Sequence, residues 1–196
     1  MSKEFGVRSS HHPQHLPLTY SHVRTSKGVF TLAFTKQGLY AVRFPKRSPD
    51  RFTPTRCKKL KKLHRVGVRR FMSYFTGSKT PFSSLTLDLS SYSLFQKKVY
   101  LALRKVPAGK VITYGELAKR AGYPGAARAV GSAMEKNRLP IVIPCHRVVP
   151  LKGGLGEYSA GKQWKRWLLD HEGHMSHVTR HTKGVFRDVC RVACGV

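Results

Sequence analysis

The second half of the chain carries a helical pattern that strongly limits what it can fold into. Apolar residues recur there at spacings of three and four, which places them on one face of a helix: Phe95, Val99, Ala102, Leu103 and Val106. Pro107 and Gly109 follow this pattern as stop signals. We therefore expect one well-defined amphipathic helix that ends before Pro107.

Two shorter helices are predicted after it. Thr113 is suited to cap a helix that carries Leu117 and Ala118. Small residues at helical spacing predict a second helix over residues 126–133, and residues 122–125 predict a tight turn between the two. Two short helices around a glycine-containing turn are the outline of a helix-turn-helix, although many helical hairpins that bind no DNA share it.

The first half of the chain predicts a small sheet with a helix. Residues 29–34 and 39–44 are strand-like, and the turn between them leaves Gly38 free to adopt a positive φ. Residues 58–75 predict a basic, moderately amphipathic helix, and a stretch rich in Gly, Ser and Pro from residue 77 to 84 indicates a linker.

The expected domain organisation follows from these patterns. It comprises a flexible arm over residues 1–18, an α/β domain over 19–90, a mostly helical domain over 91–173 and a basic tail over 174–196.

The charge of the chain indicates a polyanionic partner. There are 37 lysines and arginines against 9 aspartates and glutamates, a formal net charge of +28. A domain this basic repels itself unless it binds a polyanion, and nucleic acid is the usual one. A generally basic proteome is an alternative, and an anionic membrane surface is a weaker one because no basic amphipathic helix dominates.

No apolar run reaches the roughly 18 residues that a membrane span requires, and no signal peptide is recognised. We therefore expect a soluble protein of the cytoplasm or nucleus. The basic run 58–62 resembles a nuclear signal but equally suits a basic helix face.

A cysteine with unusual neighbours is the strongest chemical feature. The apolar segment 139–144, bracketed by prolines, predicts a buried extended stretch that delivers Cys145 and His146 to the core. A thiol becomes a good nucleophile only as a thiolate; an imidazole can accept its proton, and a carboxylate can orient that imidazole. Because neighbouring strand residues point to opposite faces, the pair needs a bend or a water to cooperate. An inert buried cysteine beside a histidine is the alternative.

A structural metal site is not expected. Cys57, Cys145, Cys190 and Cys194 do not form two CxxC pairs, and in a reducing compartment they are free thiols. Histidines and cysteines of the tail could form an irregular metal site, but a basic tail touching DNA is the plainer interpretation: His174, His177, His181, Cys190 and Cys194.

The sequence Ile-Pro-Cys-His-Arg-Val at residues 143–148 resembles the active-site signature of the O6-alkylguanine-DNA alkyltransferases, the methylated-DNA–protein-cysteine methyltransferase family. Further matches surround it: Phe95-Gln96, Pro107-x-Gly109, Thr113-Tyr114, Arg128-Ala129-Val130-Gly131, Asn137, Tyr158-Ser159, Lys165 and Leu168-Leu169-x-x-Glu172. The likeness covers residues 19–173 and is strong only from Phe95 onward.

This resemblance implies an RNase H-like α/β N-terminal domain and a winged helix-turn-helix-like C-terminal domain. It implies a monomer that binds duplex DNA in the minor groove and flips O6-alkylguanine, or O4-alkylthymine, out of the helix. The alkyl group then passes irreversibly to the cysteine in one turnover, without cofactor or metal. The alternative is a non-enzymatic alkyltransferase-like protein that only binds the lesion, but Cys145 argues against it. A generic basic module would not explain the Cys/His/Glu set, and a cysteine hydrolase would not explain the helix-turn-helix.

The resemblance also implies roles for individual residues. Cys145 is the nucleophile, His146 acts as base through a water, and Glu172 holds the imidazole. Asn137 braces the turn before the cysteine, and Tyr114 hydrogen-bonds to guanine N3. Expected substrate-binding residues are Pro140, Val148, Tyr158, Ser159 and Lys165. Expected DNA-binding residues are Phe95, Tyr114, Ala126, Ala127, Arg128 and Gly131, with Arg128 replacing the flipped base.

Two departures from the family pattern are visible. Tyr100 occupies a position where the family typically has Trp, which indicates a core exchange. Ala160 stands where many members have Gly, and it is expected to narrow the pocket.

Overall fold

A computed structural model describes residues 18–45, 62–78 and 82–173. The arm before residue 18, residues 58–61 of the basic run 58–62 and the tail after residue 173 lie outside the described residues. The expectations for these segments remain predictions. The same holds for Cys57, Cys190 and Cys194.

The N-terminal half is built on a three-stranded antiparallel sheet in the order β1-β2-β3. The strands are β1 (Thr19–Thr25), β2 (Gly28–Phe34) and β3 (Leu39–Arg43). The predicted hairpin between β2 and β3 is present, but the expectation of a positive φ at Gly38 is wrong. This glycine instead allows a close approach, because a Cβ there would lie 2.8 Å from backbone atoms of Leu87 and Thr86.

Helix α1 (Lys62–Phe75) covers one face of this sheet. Its buried side is formed by His64, Gly67, Phe71 and Tyr74, which recur at spacings of three and four. The His64 ring stacks on Phe34 with centroids 4.2 Å apart. The described part of this helix agrees with the predicted basic amphipathic helix.

The described part of the C-terminal half, residues 82–173, contains four helices and a short parallel pair of strands. These elements are α2 (Leu94–Arg104), β4 (Ile112–Thr113), α3 (Tyr114–Arg120), α4 (Ala127–Glu135), β5 (Val148–Val149) and α5 (Lys162–His171). The predicted cap is present, because the Thr113 hydroxyl accepts a hydrogen bond from the Glu116 backbone N–H at 3.2 Å. A capping box formed by Ser93 and Gln96 begins α2.

The segment before the cysteine is buried as predicted, but the expectation that it is extended is wrong. The Ile143 N–H donates to the Leu139 carbonyl at 2.8 Å, which closes a turn. Ile141 adopts a φ of 73°, a conformation that β-branched residues rarely tolerate. The chain then makes a single 3-10 turn over Cys145–Arg147 before entering β5.

One connected core joins the two halves of the chain. It includes Phe30 and Phe71 from the sheet and α1, and Leu103, Leu117 and Val148 from the C-terminal half. Tyr100 is fully buried in this core, and its hydroxyl donates to the Ala133 carbonyl of α4 at 2.6 Å. Among the described residues, no helix is both long and apolar enough to cross a membrane.

Candidate active site

Asn137 holds the turn and the thiol together. Its Nδ2 donates to the Ile143 carbonyl at 3.0 Å and to Cys145 Sγ at 3.2 Å. Its Oδ1 accepts from the Leu139 N–H at 2.9 Å. The contacts with Ile143 and Leu139 stabilise the turn that contains the strained Ile141, and the contact with Sγ positions the thiol. This geometry is compatible with the bracing role expected for Asn137.

The Cys145 thiol is buried and requires a base. Only 5% of this residue is exposed, and burial raises the pKa of the thiol although the hydrogen bond from Asn137 opposes the shift. The thiol is therefore protonated near neutral pH, and a neighbouring group has to accept its proton before it can attack.

His146 is completely buried and bonded to Glu172. The distance from His146 Nε2 to Glu172 Oε1 is 2.8 Å. Burial lowers the pKa of His146, although the hydrogen bond and charge of Glu172 oppose the shift. An ionised carboxylate only accepts hydrogen bonds, so Nε2 carries the proton and Nδ1 keeps a free lone pair. Nδ1 is buried and has no hydrogen-bond partner among the described groups.

Glu172 accepts two further donors that the sequence interpretation missed. Arg147 donates from Nε to Oε2 and from Nη2 to Oε1, both at 2.8 Å, and the Tyr74 hydroxyl donates to Oε1 at 2.8 Å. Burial disfavours the charge of Glu172, but hydrogen bonds and charges of His146 and Arg147 outweigh it and hold its pKa well below the usual range. Arg147 belongs to the 143–148 motif and could have been suspected. Tyr74 is 98 residues away from Glu172, and the weaker family similarity over residues 74–77 assigned it no role.

Two other predicted residues also lie beside the cysteine segment. The Lys165 ammonium donates to the Val148 carbonyl at 2.7 Å, and burial lowers its pKa to about 8. The Tyr158 hydroxyl is buried without a hydrogen bond of normal geometry, and burial, together with the charge of Cys145, raises its pKa. The thiol therefore interacts with two side chains whose pKa values are shifted from their usual ranges.

A cleft of about 410 Å³ opens next to these groups. It is lined by Asn137, Pro140 and Ser159, three of the predicted site residues, and by Ala160. The end of β3 and the residues after it supply another wall, so both halves of the chain contribute.

Helices α3 and α4 pack against each other around the predicted turn. Arg128 is exposed in the first turn of α4, and Ala126 and Ala127 beside it are half-buried. Gly131 lies next to Tyr114, since a Cβ at Gly131 would be 4.0 Å from that ring.

Two aromatic residues near this pair of helices are partly covered by the protein itself. The Phe95 ring packs against Tyr123 with centroids 4.9 Å apart. Tyr114 begins α3, and burial and the charge of Cys145 raise its pKa.

The described residues contain no group of three or more His, Cys, Asp or Glu side chains that could hold a metal ion. His171, which precedes Glu172, is instead bonded through Nε2 to the Tyr74 carbonyl at 2.7 Å.

Comparisons with known proteins identify relatives of this chain. Residues 94–174 match the family model described as 6-O-methylguanine DNA methyltransferase, DNA binding domain. A methylated-DNA–protein-cysteine methyltransferase of Methanosarcina acetivorans is 36% identical over 146 residues, 74% of this chain and 92% of the relative. A protein of the same name from Salmonella typhimurium is 44% identical over 106 residues, 54% of this chain and 61% of the relative.

Solved structures give the same result. Mycobacterium tuberculosis OGT in complex with DNA is similar with a TM-score of 0.66 and 35% identity, covering 79% of this chain and 92% of that chain. The match to the Salmonella protein thus spans about three fifths of that relative. The match to the Methanosarcina protein spans nearly all of its relative, and at 146 residues it is longer than the matched domain over 94–174. The resemblance seen in the sequence is confirmed: this chain belongs to the methylated-DNA–protein-cysteine methyltransferase family.

Proposed function

We propose that this protein repairs DNA directly, by moving the alkyl group of O6-alkylguanine to Cys145 in a single irreversible turnover. The observation that carries the proposal is the state of His146. The 2.8 Å bond to Glu172 occupies Nε2 and leaves Nδ1 as a buried acceptor on the residue that follows the buried Cys145 in the chain. This is the tautomer that a base for Cys145 requires.

The chemistry follows from that arrangement. His146 Nδ1 takes the thiol proton through an intervening water, and the thiolate attacks the alkyl carbon. The new S–C bond forms as the C–O6 bond breaks, and the electron pair of that bond leaves with the guanine. The guanine takes up one proton in exchange for the one lost by the thiol, and a hydrogen bond from Tyr114 to N3 eases its departure. A thioether has no leaving group that water can displace readily, so the protein acts once.

Glu172 keeps the base ready for this step. Its carboxylate stabilises the imidazolium that forms when His146 accepts the proton, while Arg147 keeps that carboxylate ionised. Lys165 fixes the Val148 carbonyl by a hydrogen bond. The flipped base would bind in the cleft lined by Pro140 and Ser159, with Val148 and Tyr158 as further contacts.

DNA recognition is assigned to the pair α3–α4. Arg128 is exposed and its neighbours Ala126 and Ala127 are small, which supports entry of the α4 start into a minor groove, with Arg128 filling the place of the flipped base. A base atom engaged in pairing cannot be attacked inside the duplex, so flipping is required. We extend the proposal to a monomer with an RNase H-like first domain and a winged helix-turn-helix second domain.

The test is to incubate the protein with duplex DNA containing O6-methylguanine and to map its peptides by mass spectrometry. One added methylene unit on Cys145, stoichiometric and without turnover, is expected. Cys145→Ala serves as the control, and it should lose transfer while it retains DNA binding.

An unmodified Cys145 together with tight binding of the lesion would contradict alkyl transfer. That result would instead identify a non-enzymatic damage-binding protein. Transfer that persists in Cys145→Ala would overturn the assignment of the nucleophile.

A further inference from the structure

The two halves of the chain differ in how their charges are balanced. Every charged residue in the described stretches 18–45 and 62–78 is a lysine or an arginine. The carboxylates of the described residues all lie further along the chain: Asp88, Glu116, Glu135, Glu157, Asp170 and Glu172. The ion pairs among the described residues likewise fall between residues 116 and 172. Helix α1 therefore carries cations and no carboxylate of its own.

Three of these cations form a stripe on α1. Lys62, Arg65 and Arg69 are exposed and recur at spacings of three and four, so they share the helix face opposite the buried His64 and Phe71. The stripe extends about 10 Å along the helix. Its solvent face carries no acidic residue, so none of the i,i+4 ion pairs that usually accompany surface arginines can form within α1.

We propose that this α1 stripe is a second DNA-contact surface, which binds phosphates of the duplex outside the segment contacted by α3 and α4. The inference rests on the DNA-repair function proposed above and adds a partner surface to it. The stripe lies on α1 of the N-terminal domain, and none of its three residues belongs to the set assigned to lesion recognition.

Charge and geometry both favour phosphate as the occupant. Arg65 and Arg69 are like charges four residues apart, an arrangement that costs helix stability unless an anion is close. Guanidinium groups match phosphate oxygens with two parallel hydrogen bonds. Along one DNA strand, phosphates succeed each other at an axial rise of about 3.4 Å, so a stripe of about 10 Å can follow consecutive phosphates.

Phosphate contacts of this kind carry no sequence information. They would raise affinity for any duplex and hold the protein on DNA while it searches for a lesion.

The test compares two triple variants of the full chain. The first is Lys62→Gln, Arg65→Gln and Arg69→Gln. The matched control is Lys105→Gln, Lys110→Gln and Lys152→Gln, which removes the same charge from exposed positions of the C-terminal half. Affinity for an undamaged duplex is measured across a series of salt concentrations, and thermal unfolding verifies that both variants are folded.

Each lost phosphate contact reduces the slope of log affinity against log salt by about 0.9. We expect the slope of the α1 variant to be smaller in magnitude than that of the unsubstituted protein by about two to three, and the slope of the control to be smaller by less than one. Equal changes of slope in both variants would show that only net charge matters and would overturn the proposal. An unchanged slope in the α1 variant would overturn it as well.

Lesion repair is scored separately from this slope. At low salt with saturating O6-methylguanine DNA, the α1 variant should still alkylate Cys145 stoichiometrically. If the protein without substitutions does not become alkylated at Cys145, the proposed function is overturned, whatever the slope of the α1 variant. Alkylation lost only in the α1 variant would overturn the assignment of this stripe to DNA outside the lesion site.

Discussion

The Tyr74 hydroxyl on α1 donates a 2.8 Å hydrogen bond to Glu172 Oε1, the same oxygen that His146 Nε2 contacts at 2.8 Å. A helix of the N-terminal domain thereby touches the carboxylate that holds the proposed base. All three side chains are buried, so water does not compete for these bonds. The N-terminal domain thus takes part in setting the electrostatics of the active site, beyond supporting it by packing.

Replacing Tyr74 by Phe should change the pH dependence of alkyl transfer. Without this donor, Glu172 interacts more strongly with the imidazolium form, which raises the pKa of His146. Transfer needs neutral His146, so the acid limb of the rate profile should move to higher pH. The measurement is the single-turnover rate of Cys145 alkylation across the acid range.

A lost hydroxyl also costs stability, about 1 kcal/mol, and the control has to match this effect. Tyr92→Phe removes a hydroxyl that accepts from the Arg138 N–H at 2.8 Å without touching Glu172. An acid limb that moves equally in both variants, or in neither, would show that Tyr74 only supports the fold.

Glu172→Gln should destabilise the protein as well as inactivate it. The substitution leaves the buried Arg147 without its charge partner, and breaking such a pair costs about 3–5 kcal/mol. Because the folded-state pKa of Glu172 is lowered, its contribution is present above the unfolded value of about 4.3 and is lost as the pH falls below that.

Denaturant unfolding of both proteins at several acid pH values checks this expectation. The difference in the free energy of unfolding between wild type and Glu172→Gln should shrink as the pH is lowered from 5. A difference that does not depend on pH would mean that the carboxylate charge contributes nothing to stability.

Arg128→Ala should separate base flipping from chemistry. Arg128 is exposed, so the free energy of unfolding should change by no more than about 0.5 kcal/mol. Flipping costs a few kcal/mol, and losing the group that fills the vacated space should slow transfer from duplex DNA by about 10- to 100-fold. Reaction with free O6-methylguanine base should be unaffected, and an equal loss on both substrates would rule out a flipping role.

Lys165 should make the free energy of unfolding depend on pH in the alkaline range. The folded-state pKa of Lys165, about 8, lies below the ordinary lysine value of 10.5, so between these values the unfolded chain binds more protons than the folded one. The free energy of unfolding should therefore rise with pH across this range, by up to about 3 kcal/mol. Urea unfolding of wild type and Lys165→Met at pH 8 and 10 measures the difference, and parallel pH dependence in the two proteins would contradict it.

Local sequence signals predicted the elements that depend on short-range patterns. The apolar spacing in α2, the Thr113 cap of α3 and the small residues of α4 act within a few turns of the chain, so they could be read directly. The family resemblance around Cys145 predicted which residues form the site, namely Asn137, Cys145, His146 and Glu172. The structure gives the hydrogen bonds of these residues.

Contacts between distant residues were decided by the tertiary structure alone. The segment before Cys145 looked extended because it is apolar and rich in proline, yet the Asn137 side chain closes it into a turn. Tyr74 meets Glu172 across 98 residues because α1 and α5 pack around one core. Periodicity within a chain specifies which face of an element is buried, but which buried polar groups meet there depends on how the elements dock.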